Sequence, residues 1–204
     1  MLETVSARKH AAIASVALTL FVRQGYERTS VDAIAAGAEV SKRTVYSHYG
    51  GKESLFFFVV RRTFEALRGQ IQEIVERTPW DGDVREALTA CIREIALVIT
   101  RSPERAALIR LVVAEAPHFP ELLDLWRGRG ITPLLAQPLA GLAAAGRLDA
   151  ADPMEAAEHL SALTFGQISN KSLMGTVRLT EEEVDRFIVG GIRVFLRAYA
   201  PADP

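Results

Sequence analysis

The stretch VSKRTVYSHYGGKESLF, from Val40 to Phe56, concentrates polar and aromatic side chains between two apolar segments. It holds two tyrosines, a histidine and three cations. Ser41 can cap a short helix that extends from Lys42 to about Tyr49, and the two glycines that follow can end it. If the apolar residues of this helix face inward, its polar residues project outward together. Core packing does not explain why so many polar residues lie on this one face.

Two predicted helices precede this stretch and a long one follows it. Apolar residues recur at helical spacing from Ile13 to Phe21. Thr29, with Asp32 three residues later, has the pattern of a capping box for a second short helix that ends near Glu39. A long helix begins at Lys52. Three short helices with a tight turn between the second and third, followed by a long helix, are the plan of a helix-turn-helix domain.

Helical patterns continue through the rest of the chain, and no segment alternates like a strand. A helix is predicted over about 84–100, and another begins at Pro103, since proline suits a first helical turn. The stretch from Leu122 to Ala145 contains two prolines and should be kinked or split. Thr180 and Glu183 form a capping box that opens the last helix.

The predicted fold class is therefore all-α. An N-terminal three-helix helix-turn-helix domain is predicted over residues 1–51, and a larger helical domain over residues 52–204. The first 52 residues carry more cations than anions, and the remainder carries more anions than cations. This asymmetry fits a polyanion-binding module joined to a second domain.

Composition indicates the compartment and the role of the single cysteine. The apolar runs are shorter than the roughly 20 residues that span a bilayer. The first ten residues lack the pattern of a signal peptide, so we expect a cytoplasmic protein. Cys91 lies on a predicted amphipathic helix, where it is interpreted as a buried core residue; a redox sensor is the alternative.

The segment GYERTSVDAIAAGAEVSKRTVYSHYGGKESLF resembles the N-terminal DNA-binding domain of the TetR family of bacterial transcriptional regulators, and the likeness runs from about Ile13 to Phe58. One position departs from the family pattern: the turn residue before Val40 is usually glycine, and here it is Glu39. A left-handed backbone at such a residue costs about 1–2 kcal/mol. LIRLVVAEAPHFPELLDLWRGRG and AAGRLDAADPMEAAEHL are more loosely similar to the AefR-like or AcrR-like branch.

The resemblance implies that the third helix enters the major groove of DNA. Arg43 is the first candidate for a base contact, because its guanidinium can bind guanine through two hydrogen bonds. Tyr46 is expected to face the DNA, whereas Tyr49 is expected in the core. The predicted DNA-binding residues are Thr29, Ser30, Ser41, Lys42, Arg43, Thr44, Tyr46, Ser47, His48 and Lys52.

The resemblance also implies a homodimer on a near-palindromic operator, and a repressor that a small hydrophobic effector releases. The interface is expected in the last two helices, over about 153–174 and 180–200, where Gly166, Gly190 and Gly191 would let backbones approach. No cofactor is expected, and no metal, because His48 has no Cys or His partner at a suitable spacing. The predicted ligand-pocket residues are Arg110, Phe119, Trp126, Phe165 and Asn170.

Other interpretations stay open at this point. The cations of the third helix could form a solvated face, and the apolar stripes of the last helices could only close the core of the monomer. An enzyme is disfavoured, since the sequence has no glycine-rich phosphate loop, metal-ligand spacing or nucleophile elbow. A helical protein-interaction module with a non-reading helix-turn-helix head is the remaining alternative. Salt dependence would discriminate, because affinity for DNA falls steeply as salt rises.

Overall fold

Helices and the turns between them make up the residues that the computed structural model describes, namely 2–128 and 130–201, with side chains over 6–125 and 130–201. The predicted all-α class is confirmed for this part of the chain. No helix in it is long and apolar enough to cross a membrane. The helices are α1 (Leu2–Gln24), α2 (Val31–Gly37), α3 (Lys42–Tyr49), α4 (Lys52–Arg77), α5 (Val84–Thr100), α6 (Pro103–Glu115), α7 (Glu121–Gly128), α8 (Thr132–Ala144), α9 (Pro153–Ser161), a π-helical turn (Ala162–Gly166), α10 (Gln167–Lys171) and α11 (Glu181–Ala198).

Local capping chemistry places most helix ends where the sequence predicts them. The limits of α3 and α5 and the starts of α4 and α6 are confirmed. At the start of α11, Thr180 Oγ1 accepts the Glu183 N–H at 3.2 Å, and Glu183 Oε2 accepts the Thr180 N–H at 2.8 Å, which confirms that capping box.

Other helix boundaries differ from the sequence-based prediction. The helix α1, which the apolar spacing indicates only from Ile13 to Phe21, extends from Leu2 to Gln24. The stretch from Leu122 to Ala145 is split, as expected, into α7 and α8. Pro133 lies in the first turn of α8, where a missing N–H costs nothing, and the helix continues through Pro138. The π-helical turn was not predicted, because a single widened turn leaves no periodicity signal.

Packing divides the chain into two compact units. The N-terminal unit contains residues up to Glu65 together with 107–126, and the C-terminal unit contains 66–106 together with the residues from Arg127 onward. The first unit thus holds the helix-turn-helix and also most of α6 and α7. The predicted boundary between residues 51 and 52 concerns the functional domains and stays a prediction.

Aromatic rings dominate the core of the N-terminal unit. Phe21 and Phe56 meet edge to face at 5.1 Å between centroids, and Tyr26 meets Phe119 in the same way at 4.9 Å. Such pairs add about 0.5–1.5 kcal/mol each beyond the burial of their area. The apolar residues Ile13, Ile34, Val45 and Leu55 fill the space around the rings and are fully buried.

Aliphatic side chains dominate the core of the C-terminal unit. The fully buried residues Leu88, Ile92, Ile95, Leu139, Leu160 and Ile188 lie in one cluster. At Gly191 the backbone of α11 approaches the π-helical turn so closely that a Cβ there would lie 2.3 Å from the carbonyl oxygen of Leu163. The close approach expected of Gly191 is therefore made within the chain.

Cys91 lies in this aliphatic cluster and is almost completely buried. Burial raises the pKa of its thiol to about 11. A thiol rather than a thiolate is thus present at neutral pH, and thiols are poor nucleophiles. The interpretation of Cys91 as a core residue agrees with this placement.

Candidate nucleic-acid interface

Both helices of the helix-turn-helix begin with a serine cap. Ser30 Oγ accepts the Ala33 N–H at 3.1 Å at the start of α2, so Ser30 is the cap rather than Thr29. Ser41 Oγ accepts the Thr44 N–H at 3.1 Å at the start of α3. Gly50 ends α3 in the left-handed conformation, with φ of 78°. Both ends of α3 are therefore fixed by local hydrogen bonds and backbone geometry.

The turn between α2 and α3 has a left-handed residue at the position where the family pattern usually has glycine. Glu39 has φ of 53°, so the turn keeps the left-handed backbone without glycine. The N–H of Val40 donates to the carbonyl of Ala35 at 3.0 Å and closes the turn. Glu39 itself is exposed, so its carboxylate faces solvent beside α3.

The inner and outer faces of α3 separate as predicted. Val45 is fully buried, and Tyr49 is buried and donates its hydroxyl to the carbonyl of His10 at 2.8 Å. Tyr46, by contrast, is 46% exposed. Lys42, Arg43 and Ser47 are also exposed, and Thr44 and His48 are half-buried. Their contacts with DNA stay predictions.

Lys42 forms an ion pair that the sequence did not reveal. Its Nζ lies 3.0 Å from Oδ1 of Asp32 and 3.1 Å from Oδ2. The hydrogen bond that Lys42 donates to Asp32, and then the charge of the Asp32 carboxylate, raise the pKa of Lys42. The carboxylate of Asp32 in α2 therefore binds the side chain of Lys42, the first residue of α3.

Thr29 and Lys52, both among the predicted DNA-binding residues, are tied to the turn between α1 and α2. Thr29 is only 1% exposed and donates its hydroxyl to the carbonyl of Gly25 at 2.8 Å, so a phosphate contact from this hydroxyl does not fit its placement. Lys52 Nζ donates to the carbonyl of Tyr26 at 3.1 Å and lies 4.2 Å from the centre of the Tyr26 ring. Lys52 is half-buried, and its phosphate contact stays a prediction.

His10 joins α1 to α3 through ring contacts. Its ring stacks on Tyr49 at 4.6 Å and meets Phe58 edge to face at 4.9 Å and His48 at 5.8 Å. Burial, and then the nearby charges of His48 and Arg62, lower the pKa of His10. Sequence reasoning missed this residue, although it lies three residues before Ile13 and so shares the buried face of α1.

The predicted ligand-pocket residues are divided between the two units. Arg110 and Phe119 belong to the N-terminal unit, where the Phe119 ring packs against Tyr26. Phe165 and Asn170 belong to the C-terminal unit and are half-buried and exposed, respectively. The side chain of Trp126 lies outside the described residues. Neither unit alone therefore gathers the predicted set, and the pocket stays a prediction.

The C-terminal unit has a shallow cleft of about 380 Å³ between α5 and α11. None of the predicted pocket residues lines it. Within the described part of the chain, no three or more His, Cys, Asp or Glu side chains converge as a metal site would require. The residues that line the cleft are Arg85, Glu86, Thr89, Ala90, Arg93, Val189 and Ile192.

These features define a class of protein. A capped helix with exposed cations, set after a tight turn on an aromatic core, is a helix-turn-helix DNA-binding domain. The family profile of bacterial regulatory proteins of the tetR family matches residues 13–58. The profile of the AefR-like transcriptional repressor C-terminal domain matches residues 86–201, more than half of the chain. The chain therefore belongs to the TetR family of transcriptional regulators.

Solved structures match over almost the whole chain. A TetR-family transcriptional regulator from Mesorhizobium loti MAFF303099 is 29% identical, with a TM-score of 0.87 over 96% of this chain and 98% of that one. The flavonoid-responsive regulator FrrA is 32% identical, with a TM-score of 0.80 over 97% of this chain and 100% of that one. These likenesses extend the family assignment beyond the DNA-binding domain.

Curated relatives match over a shorter region. The uncharacterised helix-turn-helix regulator YezE of Bacillus subtilis strain 168 is 31% identical over 109 residues, which are 52% of this chain and 54% of YezE. The chain thus spans about half the length of the curated relatives it matches. The matches confirm the expectation of a regulator rather than an enzyme.

Proposed function

We propose that this protein is a ligand-responsive repressor that binds a palindromic operator as a homodimer and is released by a small hydrophobic effector. The exposed outer face of α3, fixed by a cap at each end, is the observation that carries the proposal. A rigid helix that presents short polar groups and an arginine fits the major groove. The AefR-like repressor profile supports the sign of regulation.

Arg43 is the proposed base-reading residue. It is exposed on the first turn of α3, and it has no hydrogen-bond or ion-pair partner among the described residues. Its guanidinium is therefore available for two hydrogen bonds to guanine, which discriminate by about 1–3 kcal/mol. We propose phosphate, base or methyl contacts for the other exposed or half-buried residues, namely Ser30, Ser41, Lys42, Thr44, Tyr46, Ser47, His48 and Lys52.

Exposed apolar residues support a homodimer through the last two helical segments. Val189 and Val194 of α11 are about half exposed, and Met154 of α9 is 42% exposed. A Cβ built at Gly190 would meet no atom within 4 Å, so this surface is open to a second backbone. Contiguous exposed apolar surface marks interfaces. Two copies would place two α3 helices on the two half-sites of a palindrome.

The proposed effector is a small, mostly apolar molecule. The similarity to FrrA, a flavonoid-responsive regulator, supports an aromatic, mostly apolar small molecule. We propose Arg110, Phe119, Trp126, Phe165 and Asn170 as its contacts. Binding would favour a conformation with lower affinity for the operator, and coupling of this kind is typically about 1–3 kcal/mol.

Fluorescence anisotropy on DNA from upstream of the protein's own gene tests the proposal. We expect a linear fall of log affinity with log salt, and a loss of about 1–3 kcal/mol of discrimination between operator and scrambled DNA in Arg43→Ala. Arg85→Ala removes an exposed arginine of α5 and should bind like the wild type. Light scattering gives the oligomeric state, and a flavonoid panel tests release of the DNA.

Failure would take a recognisable form. Weak binding that hardly changes with salt, both on upstream DNA and on duplexes selected from a random pool, would favour an interaction module with a non-reading head. Operator binding by a monomer would overturn the dimer alone. Binding that no apolar or aromatic compound releases would overturn the proposed effector class.

A further inference from the structure

We infer that Asp32 is a positioning residue that competes with DNA phosphate for the Lys42 ammonium and thereby sets the affinity and salt dependence of DNA binding. This inference rests on the proposed DNA-reading role of α3. It assigns a role to a carboxylate that was predicted only as part of a helix cap. Asp32 acts through Lys42 and contacts no base in this proposal.

The geometry places both carboxylate oxygens on one ammonium. Nζ of Lys42 lies 3.0 Å from Oδ1 and 3.1 Å from Oδ2 of Asp32. Asp32 is in the first turn of α2, and Lys42 is the first residue of α3, so the pair bridges the two helices across the turn. The capping role is taken by Ser30 instead, which leaves the Asp32 side chain to Lys42.

Both partners are open to solvent and hence to a polyanion. The Lys42 side chain is 52% exposed and the Asp32 side chain is 69% exposed. A phosphate that approaches the N-terminus of α3 meets an ammonium that already has an anionic partner. To bind that phosphate, Lys42 must leave Asp32, and the carboxylate then stands unpaired beside the DNA backbone.

This exchange has a signature in counterions. A cation that neutralises a phosphate releases condensed counterions from the DNA, which steepens the dependence of log affinity on log salt by about 0.9. In the wild type, the freed Asp32 carboxylate recruits a cation from solution and offsets that release. While Asp32 is present, Lys42 should therefore change the slope of log affinity against log salt very little. Once Asp32 is neutral, Lys42 should steepen that slope by about 0.9.

The test measures salt series for wild type, Asp32→Asn, Lys42→Gln and the double variant on operator and scrambled duplexes. We expect Asp32→Asn to bind both DNAs more tightly at low salt, with a slope steeper by about 0.9. The ratio of its DNA affinity to that of the wild type should fall about 3.5-fold between 50 and 200 mM salt. Lys42→Gln should remove this gain in the double variant and alter the wild-type slope little.

A matched control separates local from global charge. Asp81→Asn removes an exposed carboxylate in the loop between α4 and α5, and it should leave the slope unchanged. An equal steepening in Asp81→Asn would overturn the inference, because total charge would then explain the effect. A gain from Asp32→Asn that persists without Lys42 would also overturn it, since repulsion would then act directly.

Two further outcomes contradict the inference without ambiguity. If Asp32→Asn lowers the unfolding midpoint and weakens both DNAs with an unchanged slope, the pair is only a structural link between α2 and α3. If the wild type binds with a linear salt dependence and Asp32→Asn matches it, Lys42 does not contact phosphate. If the wild type binds no DNA at all, the proposed function is contradicted. Failure of the proposed function is therefore distinguishable from failure of the inference about Asp32.

Discussion

Each of the two units of this chain has its own core, and the two cores differ in kind. In the N-terminal unit, aromatic rings meet at defined angles and connect α1, α3 and α4, as the contacts of Tyr49 with His10 and Phe58 show. In the C-terminal unit, most buried side chains are aliphatic. Ring contacts are directional, whereas aliphatic cores tolerate repacking at similar volume. The directional ring contacts suit a unit that holds α3 in one geometry, because they leave few alternative packings.

The largest expected effect on stability comes from a substitution at Gly191, which disturbs the packing of the C-terminal unit. Gly191→Ala should destabilise the protein by about 1–3 kcal/mol, because the new Cβ collides with the backbone at Leu163. Gly190→Ala is the matched control, and at protein concentrations where the monomer predominates alanine should stabilise the middle of α11 by about 0.5–1 kcal/mol. Urea denaturation measures both.

The opposite results would be informative. A stabilising Gly191→Ala would mean that α11 and the π-helical turn are not in close contact. A destabilising Gly190→Ala, measured at a concentration where the protein is dimeric, would place a second backbone against Gly190.

The next effect tests the aromatic core of the N-terminal unit. Tyr49→Phe keeps the ring but removes the hydrogen bond to the carbonyl of His10, so the free energy of unfolding should fall by about 1 kcal/mol. Tyr46→Phe alters an exposed hydroxyl of the same helix and should stay within about 0.5 kcal/mol of the wild type. Equal losses in the two variants would contradict the division of α3 into inner and outer faces.

A smaller gain is expected at the turn between α2 and α3. Glu39→Gly removes the cost of a left-handed backbone at a non-glycine residue, about 1–2 kcal/mol. Glycine also raises the conformational entropy of the unfolded chain, so a net stabilisation of about 0.5–1 kcal/mol should remain. Glu39→Ala keeps the strain and removes only the charge. If both variants are equally stable, backbone strain at this turn is absent; if both bind DNA more tightly, the Glu39 carboxylate weakens binding.

The pH dependence of stability tests the environment of His10. Its folded pKa is lowered below the ordinary value, so the unfolded state binds more protons near and below that value. The contribution of His10 is therefore fully present above the unfolded pKa, about 6.5, and is lost as the pH falls from there through the lower folded pKa. His10→Phe keeps a ring and should flatten the decline in unfolding free energy between pH 7 and 5.

The control for this prediction is Tyr46→Phe, which alters an exposed residue of α3 and keeps His10. Its decline between pH 7 and 5 should follow that of the wild type. An unchanged decline in His10→Phe would mean that other groups govern the acid sensitivity of the protein.

Local chemistry determined the parts that the sequence alone could predict. The limits of α3 and the capping box at Thr180 depend on hydrogen bonds and backbone angles within a few residues. The helix-turn-helix plan also placed Tyr49 inside and Tyr46 outside. These features survive because tertiary contacts reinforce the local preference.

Only the tertiary structure decided the contacts between distant residues. The burial of Thr29, the pairing of Asp32 with Lys42, the attachment of Lys52 to Tyr26 and the ring contacts of His10 leave no local signal. The division of the predicted pocket residues between two units is of the same kind. Periodicity tells which face of a helix is buried, but the partner of each side chain depends on how the helices pack in space.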